Sequence, residues 1–415
     1  MIGGVGSSRP DVPTFGLLLA GLALTACGGT GPADESSGEV LTASDLHLVG
    51  TSDSIAVVED LAVLDEGSVW IQNSVEPLFL AFDGSGGTTA AHGRLGGGPG
   101  EFDAPAGFVA GGLDGEAWLL DRARNVLVRV SSPDLPRADV RLPTEGFPPG
   151  SILGGMSLMA ATVRTARLGR EVVLPRRRGV DEVSPVGYWT TIWNADLVAF
   201  DPSTGRVRTV VPLPEVLGDM GAYFAEVGGD FPPFPFWYRL WTVCDEEVWL
   251  HDLVRNQLRG FARDGTEGEA VPLPPPPFTE VGPQDFVRTL FDLIAAERTG
   301  GVNAGVGFMS PADSARLIQG AVAGLEGSSA QHGAVLPKYV DLRCGDDGTL
   351  WLQPLDLQAG GMRGSPSWLA LTREGSVRRV QFPARFQPFR FEDGKAWGVA
   401  RDELDVASVA WVALP

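Results

Sequence analysis

Polar and apolar positions along this chain fall into a unit that returns many times. An acidic residue stands four positions before a tryptophan in Glu66-Gly67-Ser68-Val69-Trp70, Asp114-Gly115-Glu116-Ala117-Trp118, Asp245-Glu246-Glu247-Val248-Trp249, Asp347-Gly348-Thr349-Leu350-Trp351 and Asp393-Gly394-Lys395-Ala396-Trp397. The residue before each tryptophan is apolar, and four of the five instances pair the acid with glycine. Such pairs suit tight hairpin turns, because glycine accepts a positive φ without a steric penalty. Twelve residues beyond the tryptophan comes an apolar anchor (Phe82, Val130, Phe261 or Val409), and a further turn follows at Asp83-Gly84 and Asp264-Gly265. The unit predicts strand, hairpin, tryptophan strand, turn, apolar strand, turn. That is a four-stranded antiparallel blade, and blades repeated round an axis make a β-propeller. The tryptophans are predicted to pack between neighbouring blades, where a rigid ring buries much area for little lost rotamer freedom.

A degenerate sixth unit extends the series. Leu197-Val198-Ala199-Phe200-Asp201 copies Phe79-Leu80-Ala81-Phe82-Asp83, the third strand of the first blade, and counting back twelve from Phe200 reaches Tyr188 where the tryptophan should be. This blade is predicted over about 151–213, with 164–186 as a long internal loop. Between the fourth and fifth blades the pattern breaks into a polyproline stretch, Pro272 to Pro277, and two helical segments. The first carries Phe286, Leu290, Phe291 and Ile294 on one face; the second opens at Ser310-Pro311-Ala312-Asp313 with a capping serine and a proline at the first helical position. The insertion is placed at about 278–327. After Trp397 the chain is one strand short of a blade, and Leu46 to Val58 is the predicted donor that closes the ring and removes an exposed edge. The expected fold is all-β: a six-bladed β-propeller over 46–415 with a helical insertion between blades 4 and 5.

Composition agrees. Among 415 residues, 55 glycines and 32 prolines favour turns and short strands over long helices. A net charge of −20 repels phosphate backbones, so no nucleic acid is expected as a partner. The basic run Arg176-Arg177-Arg178 reads as a solvated loop.

The N-terminus carries a separate signal. Arg9 precedes the apolar run Phe15 to Leu24, about ten residues, too short to span a bilayer and suited to a signal-peptide core. It ends in Leu24-Thr25-Ala26-Cys27, a bacterial lipobox: small residues fit the signal-peptidase cleft, and the Cys27 thiol takes the lipid, acyl chains of the palmitate kind. Residues 1–26 are therefore expected as a lipoprotein signal peptide, and 27–45, rich in Gly, Ser and Pro at the start, as a flexible tether. The expected location is the bacterial cell envelope, with the membrane as a partner through lipidated Cys27. Export permits a disulfide between Cys244 and Cys344, which are 100 residues apart; two separately buried thiols are the alternative.

The junction Gly96-Gly97-Gly98-Pro99-Gly100-Glu101-Phe102-Asp103-Ala104-Pro105, followed by a D-G-x-x-W strand, resembles the link between blades in NHL-like propellers. The closing segment Trp397 to Val409 is similar to the last blade of a group of exported six-bladed β-propeller lipoproteins, in which a helical insertion also precedes the blade with D-G-x-L-W. The resemblance covers about 46–415. It implies the fold and brings no activity with it. The junction glycines lack the Lys-Ser/Thr and the strand-helix context of a phosphate loop.

Candidate chemistry is sparse. His47, His92, His251 and His332 show no ligand spacing, and no G-x-S-x-G elbow is present. No cofactor is expected, with calcium in the channel, held by carboxylates and carbonyls, as the cation such a site would take. The channel is lined by the strand that opens each blade, whose polar members include Arg239, Asp341, Arg343 and Arg390. Three arginines there suit an anionic group on a ligand, or pair with carboxylates and fill the axis. The aromatic-proline loop Phe231 to Tyr238 is either a docking patch or a cover between blades. The leading expectation is a binding scaffold for a protein, peptide or small anionic ligand. The alternative is a lactonase- or lyase-like propeller enzyme with a divalent metal in the channel.

Overall fold

The computed structural model describes residues 40–43, 45–64, 67–98, 100–131, 139–147, 164–178, 195–217, 240–253, 255–275, 338–356, 366–373 and 375–415, with positions 285, 319 and 322. Within 39–415 these residues form an all-β, propeller-like assembly of antiparallel sheets. Two strands near the N-terminus, β1 (Val40–Thr42) and β2 (Leu46–Thr51), join sheets built from the far end of the chain. Then follow β3 (Val58–Val63), β4 (Val69–Asn73), β5 (Phe79–Phe82) and β6 (Thr88–His92), which make one sheet in sequence order. The short strands β7 (Arg94–Leu95) and β8 (Glu101–Phe102) pair parallel in the junction.

An eight-stranded sheet contains two consecutive meanders. They are β9 (Pro105–Ala110), β10 (Trp118–Asp121), β11 (Val126–Arg129), β12 (Asp139–Arg141), and β13 (Thr165–Leu168), β14 (Glu171–Arg177), β15 (Ala195–Phe200), β16 (Val207–Val211). Their opening strands β9 and β13 join them through a parallel bridge at Val109 and Thr165. After a one-turn helix, α1 (Leu213–Leu217), comes the sheet β17 (Trp241–Cys244), β18 (Glu247–Asp252), β19 (Gln257–Ala262), β20 (Val271–Pro272). The next is β21 (Tyr339–Cys344), β22 (Leu350–Pro354), β23 (Ser367–Leu371), β24 (Val377–Gln381), and the last β25 (Phe386–Glu392), β26 (Lys395–Arg401), β27 (Ala407–Ala413).

Turn chemistry sets the register. Asp114-Gly115 and Asp393-Gly394 hold positive φ at both residues, as a two-residue hairpin of right-handed twist requires. Phe82 and Phe261, twelve beyond their tryptophans, lie opposite Val69 and Val248 on the neighbouring strand. Four of the repeat tryptophans fill apolar seams between consecutive meanders: Trp70 with Phe108, Trp118 with Leu174, Trp351 with Phe391, and Trp397 with Leu61. Trp249 differs. It is half-buried and lies over Gly260, where an added Cβ would come within 3.1 Å of the ring.

The N-terminal donor strand is present. β2 pairs antiparallel with β27, Leu46 opposite Val412 and Thr51 opposite Ser408. Val40–Thr42, inside the segment expected as tether, instead lies parallel to β24, with Ala43 buried beside Val380 and Phe382. The degenerate unit also departs from expectation. The segment expected as its long loop carries β13 and β14, joined by a turn at Gly169 with φ +61°. β14, not a strand at Tyr188, pairs with β15, Val172 opposite Phe200. A largely buried strand, Thr165–Leu168, and a tight turn outweigh the missing tryptophan; Tyr188 lies outside the described residues. Nor is the basic run a solvated loop. Arg176 and Arg178 flank the strand end and both meet Asp196, at 3.6 and 2.5 Å, and Arg178 also reaches Glu215 at 2.6 Å. Apart from positions 285, 319 and 322, the expected helical insertion lies outside the described residues, as does the Phe231–Tyr238 loop.

Candidate functional site

The opening strands of the meanders neighbour one another in a circuit: β3 beside β9, then β13, β17, β21, β25, and back to β3. Where bonds report direction they run the same way. β9 and β13 pair parallel, Gly345 and Phe391 form a parallel bridge, and a Cys244–Cys344 disulfide with Cα atoms 5.3 Å apart joins the ends of β17 and β21. Each opening strand is followed by a short turn. In the sequence, β13, β17 and β21 are preceded by long stretches, 142–164, 212–240 and 273–338, and β3, β9 and β25 by short ones.

Opening strands β3, β21 and β25 carry bulges: between Val58 and Asp60 and between Tyr339 and Asp341, opposite the second and third residues beyond the tryptophan, and between Pro388 and Arg390, opposite the tryptophan and the residue after it. A bulge inserts a residue and re-aims the side chain beyond it. Here the residues after the bulges are all charged; Asp341 and Arg390 are buried and Asp60 is half-buried. Arg343 sits opposite Trp351 and Arg390 opposite Trp397, so the repeat that places the tryptophan also places a cation on the facing strand.

These side chains form one network. Arg164, immediately before β13, donates to Asp341 Oδ1 at 2.5 Å and to the Leu342 carbonyl at 3.0 Å. Arg343 Nε donates to Asp341 Oδ2 at 2.9 Å, another of its nitrogens donates to the Phe389 carbonyl, and its guanidinium lies 5.5 Å from the Phe389 ring centre. Arg390 also donates to that carbonyl, at 2.8 Å, and meets Asp60 at 3.0 and 3.2 Å. Asp60 further accepts the Leu61 N–H at 2.9 Å and the Phe108 N–H at 2.8 Å. Gly107 allows that approach: at φ +97°, its added Cβ would stand 3.0 Å from Asp60 Oδ2. The chain of bonds thus runs from β13 through β21, β25 and β3 to β9.

Electrostatics favour the ionised forms of the pairs. Burial alone would raise the Asp341 carboxyl, but the Arg164 and Arg343 charges overcome it and hold the group well below the usual carboxylate range. Burial, then repulsion from Arg164, pushes Arg343 down to about 10. Removing one partner of such a buried pair typically costs about 3–5 kcal/mol, because an uncompensated charge is left behind. Glu59, on the first bulge, accepts from Gln72 at 2.8 Å, and burial raises its carboxyl.

Of the axial residues singled out in the sequence, Asp341, Arg343 and Arg390 come together here; Arg239 and Cys27 lie outside the described residues. Sequence reasoning missed Asp60 and Arg164. Asp60 was legible as a polar position within an apolar opening strand, whereas Arg164 had been assigned to a loop. A second repeat also escaped notice, a buried polar residue three beyond the tryptophan. Asn73 accepts the Ala56 N–H at 3.0 Å, Asp121 accepts those of Asp103 and Ala104, each at 3.1 Å, and Asp252 accepts that of Arg255 at 3.1 Å. These residues hold the connecting loops in place.

The histidines are dispersed: His47 stacks on Trp411, His92 packs near Trp70 and Phe79, and His251 is buried against Tyr339. Among the described residues no three His, Cys, Asp or Glu side chains gather as metal ligands. Asp60 and Asp341 each carry a guanidinium, so this donor set does not suit a divalent cation. The glycine-rich junction holds an anion of its own. Glu101 Oε2 accepts the Gly98 N–H at 2.6 Å, Oε1 pairs with Arg94 at 2.7 Å, and a Cβ on Gly96 would fall 2.2 Å from that carboxylate.

No protein-family model matches the chain, and no curated protein matches it. Solved structures do. A member of the DUF4221 family from Bacteroides vulgatus aligns with a TM-score of 0.52 at 8% identity, covering 89% of this chain and 96% of that one. A putative exported protein from Bacteroides fragilis gives 0.45 at 11% identity over 91% and 100%. A virginiamycin B lyase from Staphylococcus aureus gives 0.41 at 10% over 89% and 99%. All are propeller-like, and the likeness speaks for the fold alone. Among the described residues no helix is long and apolar enough to cross a membrane.

Proposed function

We propose that this chain is an exported six-bladed β-propeller, anchored to the bacterial cell envelope through lipidated Cys27, that acts as a binding scaffold. The blade count is supported by the circuit of opening strands and by the division of the eight-stranded sheet into two meanders. The anchor rests on the lipobox at Leu24-Thr25-Ala26-Cys27.

One observation carries the binding role: the axial carboxylates are spoken for. Asp60 accepts from Arg390 and from the Leu61 and Phe108 N–H groups, and Asp341 from Arg164 and Arg343, so neither of these two carboxylates is free to act as general base or metal ligand. Recognition residues commonly lie on loops carried by a rigid scaffold, and three of the opening strands, β13, β17 and β21, are preceded in the sequence by long stretches.

The test is mass spectrometry and elemental analysis of protein extracted from native membranes, with co-purified ligands identified. An acylated Cys27, a co-purifying ligand or partner and no stoichiometric divalent ion is the expected result. An unmodified Cys27 removes the anchor. A stoichiometric divalent ion overturns the scaffold reading in favour of a lactonase- or lyase-like enzyme.

A further inference from the structure

Exposed apolar side chains gather on the outer rim of the last two meanders. β1 lies on the outer edge of β24, and β2, separated from β1 by three residues, forms the outer edge of the last sheet. These three strands hold four of the nine large apolar side chains that are exposed among the described residues: Val40 (49%), Leu46 (39%), Leu48 (66%) and Val377 (40%). Strand alternation puts Leu46 and Leu48 on one face of β2 and the exposed His47 on the other. His47 stacks on the half-buried Trp411 at 3.9 Å, and Lys395 Nζ stands 4.9 Å from the same ring.

The same strands are nearly free of acid. Residues 40–43, 45–51, 377–381 and 407–415 hold Arg378, Arg379 and a single carboxylate, Asp45, in a chain with 52 acidic residues among 415. The acids of the last sheet sit in its turns, at Glu392 and Asp393 and at Asp402, Glu403 and Asp405, beyond the strand ends. An anionic surface repels the protein as a whole, at a net charge of −20, but not along this rim. The chain also delivers the rim to a membrane. Val40 stands thirteen residues after Cys27, and thirteen residues span at most about 45 Å when fully extended. A lipid on Cys27 therefore holds β1, and β2 just after it, close to the headgroups.

We propose that the rim formed by β1, β2 and β24 is a docking surface for an anionic bilayer, laid edge-on against the membrane that holds Cys27. This rests on the lipid-anchor reading for how the rim reaches the membrane, and adds an orientation to it. Leu46 and Leu48 enter the boundary between headgroups and acyl chains, where burial of apolar area favours binding. Trp411 takes the interfacial place that suits a large ring with one polar N–H, and the exposed Arg378 meets lipid phosphates. Because the leucines and the His47–Trp411 stack lie on opposite faces of β2, an edge-on contact covers both. The axis of the circuit then runs along the membrane plane, and both of its ends stay clear of the bilayer.

The experiment places a nitroxide on Leu48→Cys of the full acylated protein, in vesicles of phosphatidylglycerol and phosphatidylethanolamine. Phosphatidylcholine vesicles are the control without net charge. Thr204→Cys, exposed in the turn between β15 and β16 on the meander across the circuit, is the comparison site. Cys244 and Cys344 are joined and take no label. In the anionic vesicles position 48 should gain access to oxygen and lose access to a water-soluble nickel complex, while position 204 stays in water. Arg378→Gln should lower the ratio of docked to undocked label at 48 about fivefold, and phosphatidylcholine should lower it as well. An unchanged ratio in Arg378→Gln overturns the assignment to an anionic surface. A label at 48 as open to water as that at 204 overturns the docking surface, while an acylated Cys27, read by mass spectrometry, keeps the anchor. Loss of both oxygen and nickel access marks a protein, a second copy or another chain, over the rim and overturns it too. A chain unacylated at Cys27 that still sediments with the anionic vesicles, with position 48 in the bilayer, removes the anchor and leaves the surface standing. One that does not sediment removes both.

Discussion

His251 should make the protein lose stability in mild acid, and the size of the loss can be worked out. The ring lies on β18, 2% exposed, edge-on to Tyr339 at 5.4 Å, with Nε2 lacking a partner among the described residues. Burial dominates over the nearby Asp252 charge and pushes its pKa down from 6.5 to about 4. The sign follows from linkage. Well above pH 6.5 the ring is neutral in both states and contributes nothing. As pH falls through 6.5 the unfolded chain takes up the proton and the folded chain does not, so stability declines until about pH 4. A depression of about 2.5 units corresponds to roughly 3.4 kcal/mol in full, of which about 2 kcal/mol is lost by about pH 5. The assay is denaturant unfolding of the natural chain and His251→Gln at about pH 7.5 and about pH 5. Packing changes caused by the substitution are common to both pH values and cancel. The natural chain should lose about 2 kcal/mol more than the variant between them. Equal losses would refute the argument.

Three further outcomes are expected. Gly96→Ala would drive its Cβ into the Glu101 carboxylate at a φ of +147°, and should lower stability by about 2–3 kcal/mol in thermal or denaturant unfolding, with part recovered in a Glu101→Ala background. Glu246 holds φ +67° where the other repeats have glycine, so Glu246→Gly should raise stability by about 1 kcal/mol, read as a higher melting temperature. Replacing Cys244 and Cys344 by serine releases a closure spanning 100 residues and should cost about 4–5 kcal/mol on the chain-entropy account, measured without reductant. A stability unchanged from the natural chain would argue that the covalent link contributes little there.

How much was legible differs between the blades and the axis. Trp70, Trp118, Trp351 and Trp397, with their acid-glycine turns, announced their hairpins because turn chemistry and strand alternation act over a few residues. The donor strand at Leu46 was legible for a related reason: a final blade short of one strand leaves an edge to be covered. The third meander was read wrongly at its second strand, since without a tryptophan only the Gly169 turn marked it. Val40–Thr42 was read as tether because a three-residue parallel strand has no signature of its own; it forms only when β24 is there to receive it.

The axial site was legible only in part: Asp341, Arg343 and Arg390 stood out as polar members of opening strands, but their pairings did not. Arg164 meets Asp341 across 177 residues and Arg390 meets Asp60 across 330. No spacing along the chain encodes such pairs, because their distance depends on closing the whole ring of opening strands. The amino-acid sequence by itself determined the blade, a local object built from turns and alternating side chains. Tertiary closure alone decided which charges meet at the axis.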